Sequence, residues 1–146
     1  MDPQDQLIRI LQAAISPVVM ISGVGLLLLS LTNRFARTTE RARGLASQCR
    51  EADDAQRPRL LLQLQILYRR SRILMQSTIL ALLSILFSAL LILTIFAHYV
   101  AATNSYRLVA VLFALSQLSL VFSLVFFIKD MTMSLRALRE ELRDQV

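Results

Sequence analysis

Charged residues are scarce in most of this chain, and so are the residues that many enzymes and disulfide-rich proteins depend on. Of 146 residues only 18% are charged, one is cysteine and one is histidine. No charged residue lies between Arg9 and Arg34, between Arg72 and Arg107, or between Arg107 and Lys129. An ordinary soluble domain is about 25% charged. The composition therefore excludes a soluble globular enzyme, and the single cysteine excludes a disulfide-stapled secreted module.

The charge-free stretches are long and apolar, and hydrophobic residues make up 55% of the whole chain. About 18 or more consecutive apolar residues form a helix long enough to cross a hydrocarbon core about 30 Å thick. We therefore predict an all-α integral membrane protein. Its single membrane domain, residues 1–146, would contain transmembrane helices at about 10–31, 73–100 and 108–128. The chain begins MDPQDQ, acidic where a signal peptide is basic, so we expect the first span to be retained.

Basic residues are distributed unequally between the connecting segments. Residues 33–72 contain ten Arg and the tail 129–146 contains three Arg and one Lys, whereas the other side holds only Arg9 and Arg107. By the positive-inside rule we expect the amino terminus outside the cell, and the 33–72 segment and the tail in the cytoplasm. Ten arginines against four acids in 33–72 also explain the net charge of +6 without a nucleic-acid partner.

Helical periodicity continues beyond the apolar spans. On both sides of the sequence EADDAQRP, apolar residues recur in alternating steps of three and four. This pattern predicts a cytoplasmic helical hairpin at 33–72 whose arms continue the membrane helices, with Pro58 in the first turn of the returning arm. The tail has a third stripe, so we expect three helices to leave the membrane together as a short bundle. The stripes are Phe35, Thr38, Ala42, Leu45, Cys49 and Ala52, then Leu60, Leu64, Leu67, Ser71 and Leu74, and finally Met131, Leu135, Leu138 and Leu142.

One face of the first helix is small or polar along its length, because Ser16, Gly23, Ser30 and Arg37 recur at seven-residue spacing. Small residues on a transmembrane face are typical of tight helix packing. The alternative is that this stripe lines an aqueous path in an oligomer. Both interpretations stay open at this stage, because a pore and a packing seam both favour small residues.

The first helix ends in a group of polar and basic residues, Asn33, Arg34, Arg37 and Arg41. In the channel hypothesis these residues form a ring at the cytoplasmic mouth, where arginines would favour anions or repel cations. In a third hypothesis they contact anionic lipid of the inner leaflet, which attracts nearby basic residues.

The second and third helices also have faces of small residues. Serines four residues apart allow close helix approach, so we expect these faces to pack within the bundle or between copies. Gln76 and Gln117 are costly in lipid, and we expect both to point inward. The small residues are Ser77, Ala81, Ser84 and Ser88 in the second helix and Ser116, Ser119 and Ser123 in the third.

The run SPVVMISGVGLLLLSLTNRFARTTERAR, followed by a second helix that LYRRSRIL introduces, resembles a known family. It is similar to the bacterial inner-membrane proteins grouped as domain-of-unknown-function family twenty-seven twenty-one. The resemblance extends from about Leu7 to Leu138. It implies a small three-span protein of the bacterial inner membrane, and it brings no established activity and no catalytic residues.

Features of catalysis and transport are missing from the sequence. No Asp or Glu lies within the predicted spans, whereas proton-coupled carriers typically have an intramembrane carboxylate. His98 has no second His or Cys at ligand spacing, and no phosphate-loop, dinucleotide-binding, HExxH or GxSxG motif occurs. We expect no catalytic residue, no metal, no cofactor and no small-molecule substrate.

Three hypotheses for function remain. The first is a non-enzymatic inner-membrane component that associates with itself or with another membrane protein. The second is a small homo-oligomeric ion channel with the first helix lining the pore. The third is a membrane organiser that interacts with lipid.

Overall fold

Three long α-helices make up the computed structural model, which describes residues 3–101 and 106–143. They are α1 (Pro3–Glu51), α2 (Arg57–Ala101) and α3 (Tyr106–Arg143). Each contains a segment long and apolar enough to cross a membrane. The predicted all-α fold is therefore confirmed, with three helices long and apolar enough to span a membrane. The predicted turn between the second and third spans falls largely on 102–105, outside the described residues, as do the side chains of His98 and of the tail stripe from Leu135 onward.

The helices α1 and α2 extend well beyond their apolar segments, and a short connection at 52–56 joins them. The amides of Gln56 and Arg57 both donate to the carbonyl oxygen of Asp53, at 3.0 and 3.1 Å, and this turn starts α2. Pro58 lies in the first helical turn, as predicted, where no hydrogen bond is lost because first-turn amides have no helical acceptor.

Contacts between the helices divide the chain into two compact units. The first unit contains Met1–Leu28 of the chain together with Leu80–Phe122. Its buried side chains are small or aliphatic, with three serines among them. Among the residues that the structure describes, they are Ala14, Pro17, Val24, Ala81, Leu91 and Leu112, and Ser84, Ser88 and Ser116.

The second unit contains Leu29–Ile79 and Ser123–Val146. The predicted stripes of the two arms face its core, since Thr38, Leu45 and Cys49 of α1 and Leu67 and Leu74 of α2 are all buried. Cys49 is confirmed as a small core residue with a free thiol. This core also contains a fully buried carboxylate, that of Asp130.

Candidate functional site: a buried carboxylate and two sets of small residues

Asp130 of α3 is fully buried in the second unit, and it contacts one arginine from each of the other two helices. The Nε of Arg70 donates a hydrogen bond to Oδ1 of Asp130 at 3.3 Å. The Nη2 of Arg34 lies 3.3 Å from the other carboxylate oxygen, Oδ2. One carboxylate on α3 therefore holds together α1, α2 and α3 within this unit.

Neither arginine forms the two-bond fork that gives the strongest arginine–carboxylate contacts. The Oδ2 of Asp130 is an ion-pair partner of Arg34 by distance, but it accepts no hydrogen bond with good geometry. The Nη2 of Arg70 instead donates to Oγ of Ser134 at 3.1 Å. Two guanidinium groups thus share one carboxylate, and the cluster keeps one unit of positive charge.

Arg34 is held by more than its ion pair. Its guanidinium carbon lies 5.4 Å from the centre of the Phe127 ring, within the range of a cation–π contact. Its Nη1 is directed at the sulfur of Met131, and its backbone carbonyl accepts a hydrogen bond from Thr38 at 2.9 Å. The side chain is still 30% exposed. Arg34 is therefore a fixed arginine whose side chain is partly open to the surroundings.

The burial of Asp130 was not predicted, because the third apolar span ends at Ile128 and Asp130 follows it in the expected cytoplasmic tail. The sequence does contain an indication of this burial, since Asp130 is the only acidic residue between Asp54 and Glu140. A lone carboxylate beside a long apolar helix, with arginines at the corresponding ends of the other helices, predicts an ion pair. Sequence spacing alone does not show which arginines form it.

The four residues predicted at the end of the first helix are in two environments. Asn33, Arg37 and Arg41 are exposed, whereas Arg34 is half-buried against Asp130. Arg41 also lines an open groove of about 360 Å³ beside Gln48 and Gln63. Three of the four residues thus remain open to lipid, solvent or a partner.

The serines of α2 and α3 form direct bonds between the two helices. In the second unit, Oγ of Ser77 donates to the carbonyl oxygen of Ser123, and Oγ of Ser123 donates to the carbonyl oxygen of Ser77, both at 2.8 Å. Both serines are fully buried. Each hydroxyl donates to a carbonyl oxygen in place of the water that it loses on burial. Both hydroxyls therefore have hydrogen-bond partners within the chain.

A similar contact occurs in the first unit, one heptad away along both helices. Oγ of Ser116 donates to the carbonyl oxygen of Ser84 at 3.0 Å and lies 2.7 Å from Oγ of Ser88. All three serines and the nearby Ala81 are fully buried. Of the two predicted alternatives, packing within the bundle or between copies, the structure shows the first for these serines, which bond between α2 and α3 of one chain.

The two glutamines differ in position. Gln117 is half-buried and its amide nitrogen lies 2.9 Å from the sulfur of Met20, as the inward prediction requires. Gln76 is exposed, so the inward prediction was wrong for this residue. The reason is helix geometry, because Ser77 occupies the inward position and adjacent residues lie about 100° apart around a helix.

The heptad stripe of α1 is exposed along its length. Ser16, Gly23, Ser30 and Arg37 all lie on the open surface of their own units. A Cβ atom built on Gly23 or on Gly25 would meet no atom within 4 Å outside the helix's own backbone. At Gly23 and Gly25, therefore, no neighbouring helix of the described chain packs against the Cβ position.

An open groove lies beside Pro17 in the first unit. It has a volume of about 330 Å³ and is lined by Ser16, Leu91, Phe113 and other mainly apolar residues of this unit. Among the residues that the structure describes, no group of three or more His, Cys, Asp and Glu could hold a metal ion.

The long apolar helices, the serine contacts between helices and the ion pair together define an α-helical protein with three helices able to span a membrane. Within that class, the chain belongs to the family described as Protein of unknown function (DUF2721), whose profile matches residues 14–140. The resemblance seen in the sequence is thereby confirmed. Neither the curated proteins nor the solved structures include a significant match to the chain.

Proposed function

We propose that this protein is a non-enzymatic component of the bacterial inner membrane that associates with itself through the exposed stripe of α1. Its amino terminus lies outside the cell, and the 33–72 segment and the tail lie in the cytoplasm. The excess of arginine in these two segments supports that orientation. The absence of recognisable catalytic motifs supports a role that does not involve catalysis.

The observation that supports self-association best is the open space around Gly23 and Gly25. Glycine within a helix costs about 1 kcal/mol relative to alanine in water, so it is usually retained where another backbone must come close. No atom of the same chain approaches a Cβ position at either glycine, apart from the helix's own backbone. The close approach that these glycines permit is therefore available to a second chain.

A second copy of α1 fits this surface because the stripe is complementary to itself. Ser16, Gly23 and Ser30 recur every seven residues, so two copies can bring small residues together repeatedly along one contact. A symmetric dimer uses the same patch on both subunits. Another membrane protein with a similar small face is the remaining candidate partner.

The experiment is the oligomeric state in lipid nanodiscs, compared between the wild type and Gly23→Leu. We expect the wild type to be oligomeric and Gly23→Leu to be mainly monomeric, because leucine blocks close approach. Its Cβ atom would meet no atom of the neighbouring helices within 4 Å. Ala114→Leu is the matched control, since Ala114 is a small, exposed residue of α3. A wild type that is monomeric at all concentrations would contradict the proposal. So would a Gly23→Leu oligomer that dissociates no more than the Ala114→Leu control.

A channel is the second candidate function, and the exposure of Ser16, Ser30 and Arg37 favours it. In a ring of four or more copies these residues can face a common axis, with Arg37 and Arg41 at one end. We expect Ser30→Cys in a Cys49→Ala background to react with a membrane-impermeant thiol reagent if the stripe lines water. Protection of that cysteine in the intact oligomer supports a packing seam instead.

A further inference from the structure

The ion-pair cluster in the second unit has an unbalanced charge. Asp130 is the one carboxylate between Arg34 and Arg70, and it is fully buried. Burying cations without full compensation is costly, so a partly exposed cluster with a net positive charge favours an added anion. Arg34 is the open side of this cluster, because 30% of its side chain is exposed against 16% for Arg70.

The guanidinium of Arg34 is also preorganised for binding an anion. Asp130, Phe127 and Met131 fix its guanidinium, and these contacts use at most two of its five N–H donors. An arginine that is already ordered loses little side-chain entropy when it binds a phosphate through two parallel hydrogen bonds. Arg37 is exposed one turn further along α1, so it adds a second cation on the same face of the helix.

The position of the cluster along the helices indicates which anion it meets. Arg34 lies three residues beyond Leu31, Arg70 three before Ile73, and Asp130 two beyond Ile128, the ends of the predicted apolar spans. At about 1.5 Å per residue, these residues lie about 3–4.5 Å outside the hydrocarbon core. The polar interface of a bilayer occupies about the next 5–7 Å on each side, and it contains the lipid phosphates.

We propose that Arg34 binds the headgroup phosphate of an anionic phospholipid, with Asp130 as the positioning residue that holds its guanidinium. Basic pockets between helices on the cytoplasmic side are a known mode of lipid headgroup binding. The site makes the lipid hypothesis specific, and it does not depend on self-association through the α1 stripe.

The test is a lipid titration of the purified protein in neutral detergent, with bound lipid counted by native mass spectrometry. The probes are phosphatidylglycerol and, as the neutral comparison, phosphatidylcholine. We expect Arg34→Lys to weaken phosphatidylglycerol binding about tenfold, because lysine keeps the charge and loses the planar fork. Arg43→Lys is the matched control, since Arg43 is an exposed arginine of the same helix, and it should change the affinity less than about twofold.

Two further variants separate a defined site from general attraction by charge. The double variant Arg34→Gln with Asp130→Asn keeps the net charge of +6, and we expect its phosphatidylglycerol affinity to fall to that for phosphatidylcholine. The single variant Asp130→Asn makes the protein more positive, so general attraction predicts tighter binding. A positioning role predicts weaker binding, because Arg34 loses its anchor. If the single variant does not fold, Arg34→Lys and the double variant decide.

Several results would overturn the proposal. They are equal losses in Arg34→Lys and Arg43→Lys, tighter binding in Asp130→Asn, and an unchanged affinity in the double variant. Inorganic phosphate at millimolar concentration should not displace the lipid. Displacement that depends on Arg34 would assign the site to free phosphate and refute the lipid assignment. Repeating the titration on Gly23→Leu separates the two proposals, because we expect a monomeric variant to bind phosphatidylglycerol as the wild type does.

Discussion

The small residues of α1 and those of α2 and α3 have similar sequence patterns and opposite environments. In α2 and α3 the serines at heptad positions are fully buried and bond to the facing helix. In α1 the serines and the glycine at heptad positions are exposed. The comparison shows that a stripe of small residues predicts close packing, but not whether the partner lies in the same chain.

Satisfied hydrogen bonds are the physical difference between the two sets. Ser77 and Ser123 donate to each other's backbone carbonyls, so their burial leaves no hydroxyl unpaired. Such bonds contribute only about 0.6 kcal/mol each in membranes, but their direction requires the two serines to face each other. Glycine has no side chain that could form such a bond. The glycines of α1 therefore allow another helix to come close but do not fix the register of that helix.

The largest effect on stability should come from substituting Asp130, whose carboxylate links α1 to α2 and α3 within the second unit. We expect Asp130→Ala to lower the free energy of unfolding by about 3 kcal/mol, because two partly buried arginines lose their counter-ion. Circular dichroism during thermal unfolding in detergent micelles measures this. Asp54→Ala removes an exposed acid and should leave the melting temperature almost unchanged. Equal melting temperatures for both variants would show that the ion pair does not stabilise the fold.

The comparison between helices is sharpest when one substitution is made on both surfaces. We expect Ser84→Leu to cost about 1–3 kcal/mol, because leucine has no space at a fully buried serine. Ser30→Leu should leave the monomer's stability within about 0.5 kcal/mol, because its site is exposed. Unfolding of the two variants at the same detergent concentration gives the difference. A larger loss for Ser30→Leu than for Ser84→Leu in the monomer would reverse the assignment of the two surfaces.

The smallest effect should come from removing one hydroxyl. We expect Ser77→Ala to lower the stability by about 0.6 kcal/mol, the average for a hydrogen bond between membrane helices. Ser77 and Ser123 form a reciprocal pair, so adding Ser123→Ala should cost less than the first substitution. A double-mutant cycle measures the coupling. Fully additive losses would mean that the two hydroxyls act independently.

Much of the fold could be predicted because its signals are local. The charge-free stretches locate three spanning helices, and the periodic stripes of the α1 and α2 arms match the buried residues Thr38, Leu45 and Leu67. The serine faces of α2 and α3 were likewise recognised as packing surfaces. The inward prediction for Gln76 is wrong, because polarity in an apolar span does not by itself indicate burial, and helix geometry gives the inward position to Ser77.

The candidate site was only partly predictable, because it depends on contacts between distant residues. Arg34 was recognised as a basic residue at the end of the first span, but its partner Asp130 is 96 positions away in the sequence. The apolar boundary at Ile128 placed Asp130 in the predicted cytoplasmic tail. Burial of Asp130 depends on α1 and α2 each placing an arginine beside it.

By itself the sequence determined the helical class, three segments long and apolar enough to span a membrane, the unequal charge of the connecting segments and the family. It could do so because hydropathy, periodicity and composition are properties of local chain segments. Only the tertiary structure decided which small residues are buried against another helix of the chain and which are exposed. It also decided which arginines Asp130 pairs with. Those outcomes depend on how helices distant in sequence pack, since a side chain's partner is set by the facing helix as well as by its own.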